Sequence, residues 1–460
     1  MVDQKRQADS KLARQPVAFL RAEQIRKSSS APHPLKLVGL SLLVLLAGFV
    51  AIQLQTIPPA LPPQLQVAKS ARLPAPARLL KQDGKTPETT EPLIRVNVTP
   101  GGTDSFRLEI RGQYKLSGLE ANPNSEVSLK LPPGPMTVEA TKTGMKLGTA
   151  ETSLTQIEIV PVESPAIRVD GHLYRGRMRL FRRTDGKVSA VNVLPIEEYL
   201  ASVVDSEMPA KFPAAAREAQ AIVARTYALY QAQHADPKSV FDLFSSQRSQ
   251  KYLGVEYVDK NNRRLAGESE SSRRAVRETR GIVCKLDEKL FCTYYSAVCG
   301  GQTINGKEVF KDATEALKST QCEWCRESPH YRWTTELSRD AFEARALTPK
   351  EKPKLLTIHS IQQLVEPGQG SICQFKLKTP ADLLAVNGIQ LRDRMPVGTL
   401  PSPHFHVMLE KDKVIFKGRG HGHGVGFCQW GAKGQAEAGR SSSEIIRHYF
   451  AGAKLTTLKY

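Results

Sequence analysis

Acid is scarce in this chain: its 460 residues carry 46 Asp and Glu against 65 Lys and Arg, a formal net charge of +19. That balance suits an anionic envelope surface or a carboxylate-bearing polymer as partner. Long apolar runs are scarce as well. Only Leu37 to Leu54 gives 18 positions without a charge, the lower end of a membrane-spanning length. No clear small-x-small cleavage site follows it, which argues against a removed signal peptide. A phosphate-loop lysine is missing from the glycine-rich segment near the C-terminus, so nucleotide binding has little support.

The order of segments follows from these features. Residues 1–36 hold eight Lys/Arg and three Asp/Glu, a basic tail of +5. A basic flank ahead of one apolar run predicts a signal anchor over residues 37–54, with the tail in the cytoplasm. The remainder then lies in the periplasm or extracytoplasmic space. Nucleic acid, the usual partner of a basic protein, is set aside because an exported chain has little access to it. Residues 55–90 are rich in proline and read as a semi-extended tether.

The body, residues 91–460, is expected to be α+β. Residues 91–190 alternate in short runs such as IRVNV, FRLEI, RMRLF and VSAVNVL, a β-rich platform. Residues 191–460 are expected to hold a helical hairpin and a mixed α/β body. Pro195 opens the first helix of the hairpin and Pro209 stops it at Met208. A second helix starts near Pro213, with Ala219, Ile222, Val223, Thr226, Tyr227 and Tyr230 along one stripe. Arg263 to Arg280 reads as a charged helix stopped by Gly281.

Glu207 falls in the last turn of the first helix, where the dipole repels an anion. Burial against the second helix and repulsion from Asp205 would add to the effect, and all three favour the protonated carboxyl. A general acid working at neutral pH needs those surroundings. A solvated glutamate that merely ends a helix is the plainer alternative.

Two further segments carry chemistry. From Gly418 to Gly426 every even position is glycine, with Arg419, His421, His423 and Val425 between. An extended chain here would present bare backbone on one face and functional side chains on the other. Gln429 and Trp430 follow, an amide and a flat ring that suit a sugar. Tight sheet packing by the glycines, or a His-x-His metal pair, would account for the pattern equally. Among seven cysteines, Cys322-x-x-Cys325 forms half of a zinc site and Cys299 supplies a third ligand. His330 or Cys292 would be the fourth, and we assign His330. Disulfide pairing in an oxidising compartment competes with this reading.

The blocks EYLASVVDSEMP, FPAAAREAQAIVARTYAL, SQKYLG, YYSAVCGGQT and GRGHGHGVGFCQWGAKGQA together resemble the SpoIID/LytB family. The resemblance runs from about Ile94 to the end of the chain. It implies a lytic transglycosylase acting on peptidoglycan glycan strands, preferably those stripped of stem peptides. Glu207 matches the family's catalytic acid in its E-M-P block. Gln250, Tyr252, His421, His423, Gln429 and Trp430 match positions expected to line the groove. Zinc bound near this region by some relatives agrees with the cysteine reading, although Tyr295 stands four before Cys299 where such relatives suggest a histidine. Phe427-Cys428 also departs from the family, which more often has a hydroxyl residue before the glutamine. The resemblance admits a second class, a wall-binding protein that stimulates a cell-wall amidase without cutting glycan.

Overall fold

The computed structural model describes residues 90–119, 129–347 and 357–460. The basic tail, the Leu37–Leu54 run and the tether lie outside them. Among the described residues no helix is long and apolar enough to cross a membrane.

Alternation in the first hundred described residues produces two sheets. One has six strands in the order Leu243–Phe244, Leu93–Asn97, Val188–Pro195, Arg177–Arg182, Gln156–Pro161, Tyr114–Gly118. The other has eight, running from Arg264–Ala266 through Glu256–Val258, His172–Tyr174, Ile167–Val169, Ser105–Ile110, Met136–Ala140 and Met145–Leu147 to Ala150–Thr152. Each sheet is completed by strands that follow the hairpin in sequence. Apolar residues of both sheets, such as Phe106, Val138 and Leu180, join Leu200 and Ile222 of the hairpin in one core. The β-rich region is therefore built into the same core as the helices.

Val188–Pro195 is buried along seven of its eight residues and leads straight into α1 (Ile196–Glu207). Pro195 caps α1, and the helix ends at Met208, which is extended as the following proline requires. α2 (Ala214–Gln233) starts after Pro213. It packs against α1, α3 (Glu270–Glu278), α6 (Gln429–Glu437) and α7 (Ser442–Tyr449). With neighbours on so many sides α2 buries Arg217, Gln220, Arg225 and Gln231 along with its apolar stripe. The charged helix expected from Arg263 is shorter than its sequence suggested. Arg264–Ala266 is instead a strand at the edge of the eight-stranded sheet, and α3 begins only after the Ser269 capping box.

Between the Cys-x-x-Cys turn and the glycine-rich segment lies a lobe with its own core of Phe342, Phe375, Phe405 and Phe416. Its helices are α4 (Arg339–Ala346) and α5 (Gly388–Arg394). The strand Lys413–Arg419 leaves this lobe and delivers the glycine-rich segment to the main core.

That segment is not a strand with a bare face. Gly420, Gly422, Gly424 and Gly426 all take positive φ, between 71° and 100°, so every second residue from 420 to 426 is left-handed. A Cβ on Gly420 would lie 2.6 Å from the Val298 carbonyl, and one on Gly426 would lie 2.2 Å from that of Tyr294. The glycines let this segment pack directly on residues 294–299, which accounts for the pattern without a ligand. Gly426→Ala should cost about 1–3 kcal/mol from backbone strain alone, plus displacement of the Tyr294 segment. Urea unfolding would show a clearly lowered midpoint, and an unchanged midpoint would contradict this reading of the contact.

Candidate active site

Glu207 is 1% exposed at the C-terminal end of α1. The corner that follows is held by Arg217 of α2. One of its Nη atoms donates to the Met208 carbonyl at 2.9 Å and the other to Asp205 Oδ1 at 2.5 Å. Asp205 also accepts from the Ser269 hydroxyl. Its charge is thus matched by Arg217, and the repulsion of Glu207 expected from Asp205 is not what perturbs the site.

Burial is. It pushes the Glu207 carboxyl up from 4.5 to about 7, with three donors acting the other way. The Lys251 backbone N–H donates to Oε1 at 3.0 Å, and Gln429 Nε2 lies 3.5 Å from Oε2. The buried Tyr295 hydroxyl faces the same carboxyl without closing a well-formed bond. The acid therefore keeps its proton to a higher pH than a free glutamate does.

The glutamine contact contains more information than its length suggests. Gln429 Nε2 also donates to Gln220 Oε1 at 3.3 Å, leaving Gln429 Oε1 and Gln220 Nε2 buried without partners. Exchanging the O and N of both amides pairs those two atoms. It also gives a proton on Glu207 Oε2 an acceptor in Gln429 Oε1. The first orientation belongs with the carboxylate and the second with the neutral acid. Gln429 is thus positioned to serve both protonation states.

The other expected groove residues divide. Gln250 is fully buried and accepts from the Tyr199 hydroxyl at 3.1 Å. Tyr252, also buried, donates to Asn192 Oδ1 at 2.8 Å, its ring 5.0 Å from that of Tyr199. Both turn inward instead of lining an open groove. Their role is to support α1, and burial removes Tyr252 from direct contact with a glycan. His423 is buried edge-on to Phe310 and Tyr294, its Nδ1 accepting from the Val425 N–H at 3.0 Å. His421 is half-buried with its ring 5.2 Å from that of His330. The two rings have different neighbours, which disposes of a His-x-His metal pair. Burial lowers them to about 4 for His421 and about 3 for His423, so both are neutral at pH 7.

Trp430 lies nearer the surface. It is half-buried, edge-on to Phe212 at 5.3 Å between centroids, with the Lys433 ammonium 5.5 Å from its ring. Lys251 is half-exposed as well. The sequence reading did not single out Gln220 or the Lys251 amide, and it named Tyr295 only for standing where a histidine ligand was suggested. Gln220 and Tyr295 are fully buried, and only the folded contacts show that they face the Glu207 carboxyl or its amide partner.

The cysteine assignment needs one correction. Cys299, Cys322 and Cys325 do come together, but the fourth group beside them is Cys428. His330 lies against His421 instead, and Cys292 receives the Gln231 amide at 3.4 Å.

A family model described as Stage II sporulation protein (SpoIID) matches residues 184–285, the stretch that carries Glu207, Gln250 and Tyr252. An uncharacterized protein of Brachyspira hyodysenteriae is 28% identical over 363 residues, covering 79% of this chain and 92% of that protein. Stage II sporulation protein D of Bacillus subtilis is 26% identical over 336 residues, covering 69% of this chain and 86% of the relative. The amidase enhancer of the same organism is 24% identical over 311 residues, covering 56% of this chain but only 40% of its own length. With the hairpin, the buried acid and the glycine-rich segment in one core, the chain carries a SpoIID match over residues 184–285 and is similar to the stage II sporulation proteins D beyond it.

Proposed function

We propose that this protein is a membrane-anchored, extracytoplasmic lytic transglycosylase that cleaves peptidoglycan glycan strands, with Glu207 as its single acid and base. The observation that carries the proposal is a fully buried carboxyl raised to about 7 at the corner of the hairpin. Two-carboxylate hydrolases divide acid and nucleophile or base between two groups. Here the second proton acceptor is the same residue.

Protonated Glu207 donates to the oxygen linking N-acetylmuramic acid to N-acetylglucosamine as the bond from that oxygen to the anomeric carbon breaks. The muramic acid 6-hydroxyl oxygen bonds to the anomeric carbon, and its proton returns to the Glu207 carboxylate. The acid is regenerated, no water is consumed, and the product ends in 1,6-anhydromuramic acid. Gln429 supports both states through the amide exchange described above. The positive charge of the chain suits an acidic wall polymer.

Incubation with glycan strands stripped of stem peptides should release fragments with anhydro ends, detected by mass spectrometry. Peptide-substituted wall should be a poorer substrate. Trp430→Ala removes a stacking surface while leaving the acid in place, so strand affinity should fall by about tenfold, as for the loss of ~1 kcal/mol or slightly more of aromatic contact. Unchanged affinity would remove Trp430 from the groove. The relative named amidase enhancer supports one rival, a binding protein that stimulates an amidase. Binding without anhydro products, together with faster cleavage by an added amidase, would favour that rival.

A further inference from the structure

Four sulfur atoms converge beneath the N-terminus of α6. Cys299 follows residues packed on the glycine-rich segment, Cys322 and Cys325 flank a tight helical turn, and Cys428 is the residue that caps α6. All four are buried, and their Sγ atoms lie within 4.8 Å of one another. No other group of three or more Cys, His, Asp or Glu side chains among the described residues comes this close. The Sγ atoms of Cys299 and Cys325 are 3.7 Å apart. A tetrahedron with zinc–sulfur bonds of about 2.3 Å has edges of roughly 3.8 Å.

The surroundings are those of thiolates. The backbone N–H groups of Cys299 and Gly431 both point at Cys428 Sγ at 3.3 Å, and the Tyr449 hydroxyl lies 3.1 Å from Cys322 Sγ. The N-terminus of α6 adds a favourable dipole toward negative charge. Such donors offset the net negative charge of an ion held by four thiolates. Zinc and iron are the ions that accept four sulfurs in this geometry. Zinc fits the place, because it holds a structure without bringing redox chemistry to an acid–base site.

We propose that Cys299, Cys322, Cys325 and Cys428 bind one zinc ion that fixes the start of α6, and with it Gln429 and Trp430, against the Glu207 corner. Cys428 directly precedes Gln429, so the ion anchors the residue that contacts the carboxyl. It also ties the Cys-x-x-Cys turn to the segment that supports the glycines. The site does not depend on which reaction Glu207 performs.

The native full chain should contain one equivalent of zinc by elemental analysis. Cobalt substitution should give the charge-transfer absorption of four thiolates, not of three thiolates and an imidazole. His330→Ala and Cys373→Ser should retain the metal, whereas Cys428→Ser should lose it or bind it far more weakly. Chelation should shift tryptophan fluorescence, because Trp324 lies between two ligands and Trp430 lies two residues beyond a third. If Cys428→Ser does not fold, the cobalt spectrum of the wild-type chain still identifies the ligand set. Absence of metal with a disulfide among the four cysteines would overturn the proposal. So would iron in place of zinc, or loss of metal in His330→Ala.

Discussion

Under the proposed mechanism, in which the same group also serves as base, Glu207→Gln should lower the rate of strand cleavage by about 10²–10⁴ or more. The amide keeps the shape and the Lys251 contact but has no proton to give. The same substitution should stabilise the fold at neutral and alkaline pH. From pH 4.5 to about 7 the folded carboxyl keeps a proton that the unfolded chain has already released. The native state then binds more protons, so stability falls as pH rises through that window. Above it the full cost of a buried charge is present, on the order of 3 kcal/mol for a shift of this size. Glu207→Gln removes that cost. Its unfolding free energy should match wild type below pH 4.5 and exceed it above pH 7, as measured by urea titration at several pH values. Wild-type kcat/KM should fall as pH rises through about 7, because the acid form is lost. A variant as unstable as wild type at high pH would show that Glu207 is not desolvated as described.

The second large effect lies ten residues earlier on α1. Arg225 of α2 is fully buried and grips both Glu197 oxygens at 2.8 and 2.7 Å. Burial alone would raise Glu197. The hydrogen bonds and charge of Arg225, with the Tyr460 hydroxyl and Gly281 N–H, outweigh it and hold the carboxyl below its usual value. Arg225→Met should therefore cost about 3–5 kcal/mol, because it leaves a buried carboxylate without its partner. The additional change Glu197→Leu should recover much of that loss, since the penalty belongs to the orphaned charge. Glu197 acts opposite to Glu207: its contribution is present above pH 4.5 and is lost as pH falls through its depressed folded value. A loss below about 1 kcal/mol in Arg225→Met, as for an exposed pair, would contradict this account of how α1 is held.

The hairpin was legible because its signals are local. Pro195, Pro209 and Pro213 mark helix ends through steric rules confined to adjacent residues, and the Ser441 capping box of α7 has the same character. The second helix was legible only on its apolar side. Arg217, Gln220 and Arg225 lie off that stripe, yet each is buried because the groups it meets come from other elements. The glycine-rich segment misled for a related reason. Alternation predicts a strand, but alternating glycines also permit left-handed residues at every second position, and the contact with residues 294–299 selects that form. Cys428 had one signal in the sequence, its departure from the hydroxyl residue expected before the glutamine. The spacing from Cys325 hid its purpose, because an entire lobe is inserted between them.

Cleavage of stripped glycan strands in heavy-oxygen water tests the central claim most directly. In the proposed mechanism the carboxylate takes the proton of the sugar's own 6-hydroxyl, so no water is consumed. Wild-type protein should therefore release anhydromuramic ends carrying no label, and Glu207→Gln should release almost none. Reducing ends that carry heavy oxygen at the anomeric position would mean hydrolysis by an activated water, and would contradict the mechanism.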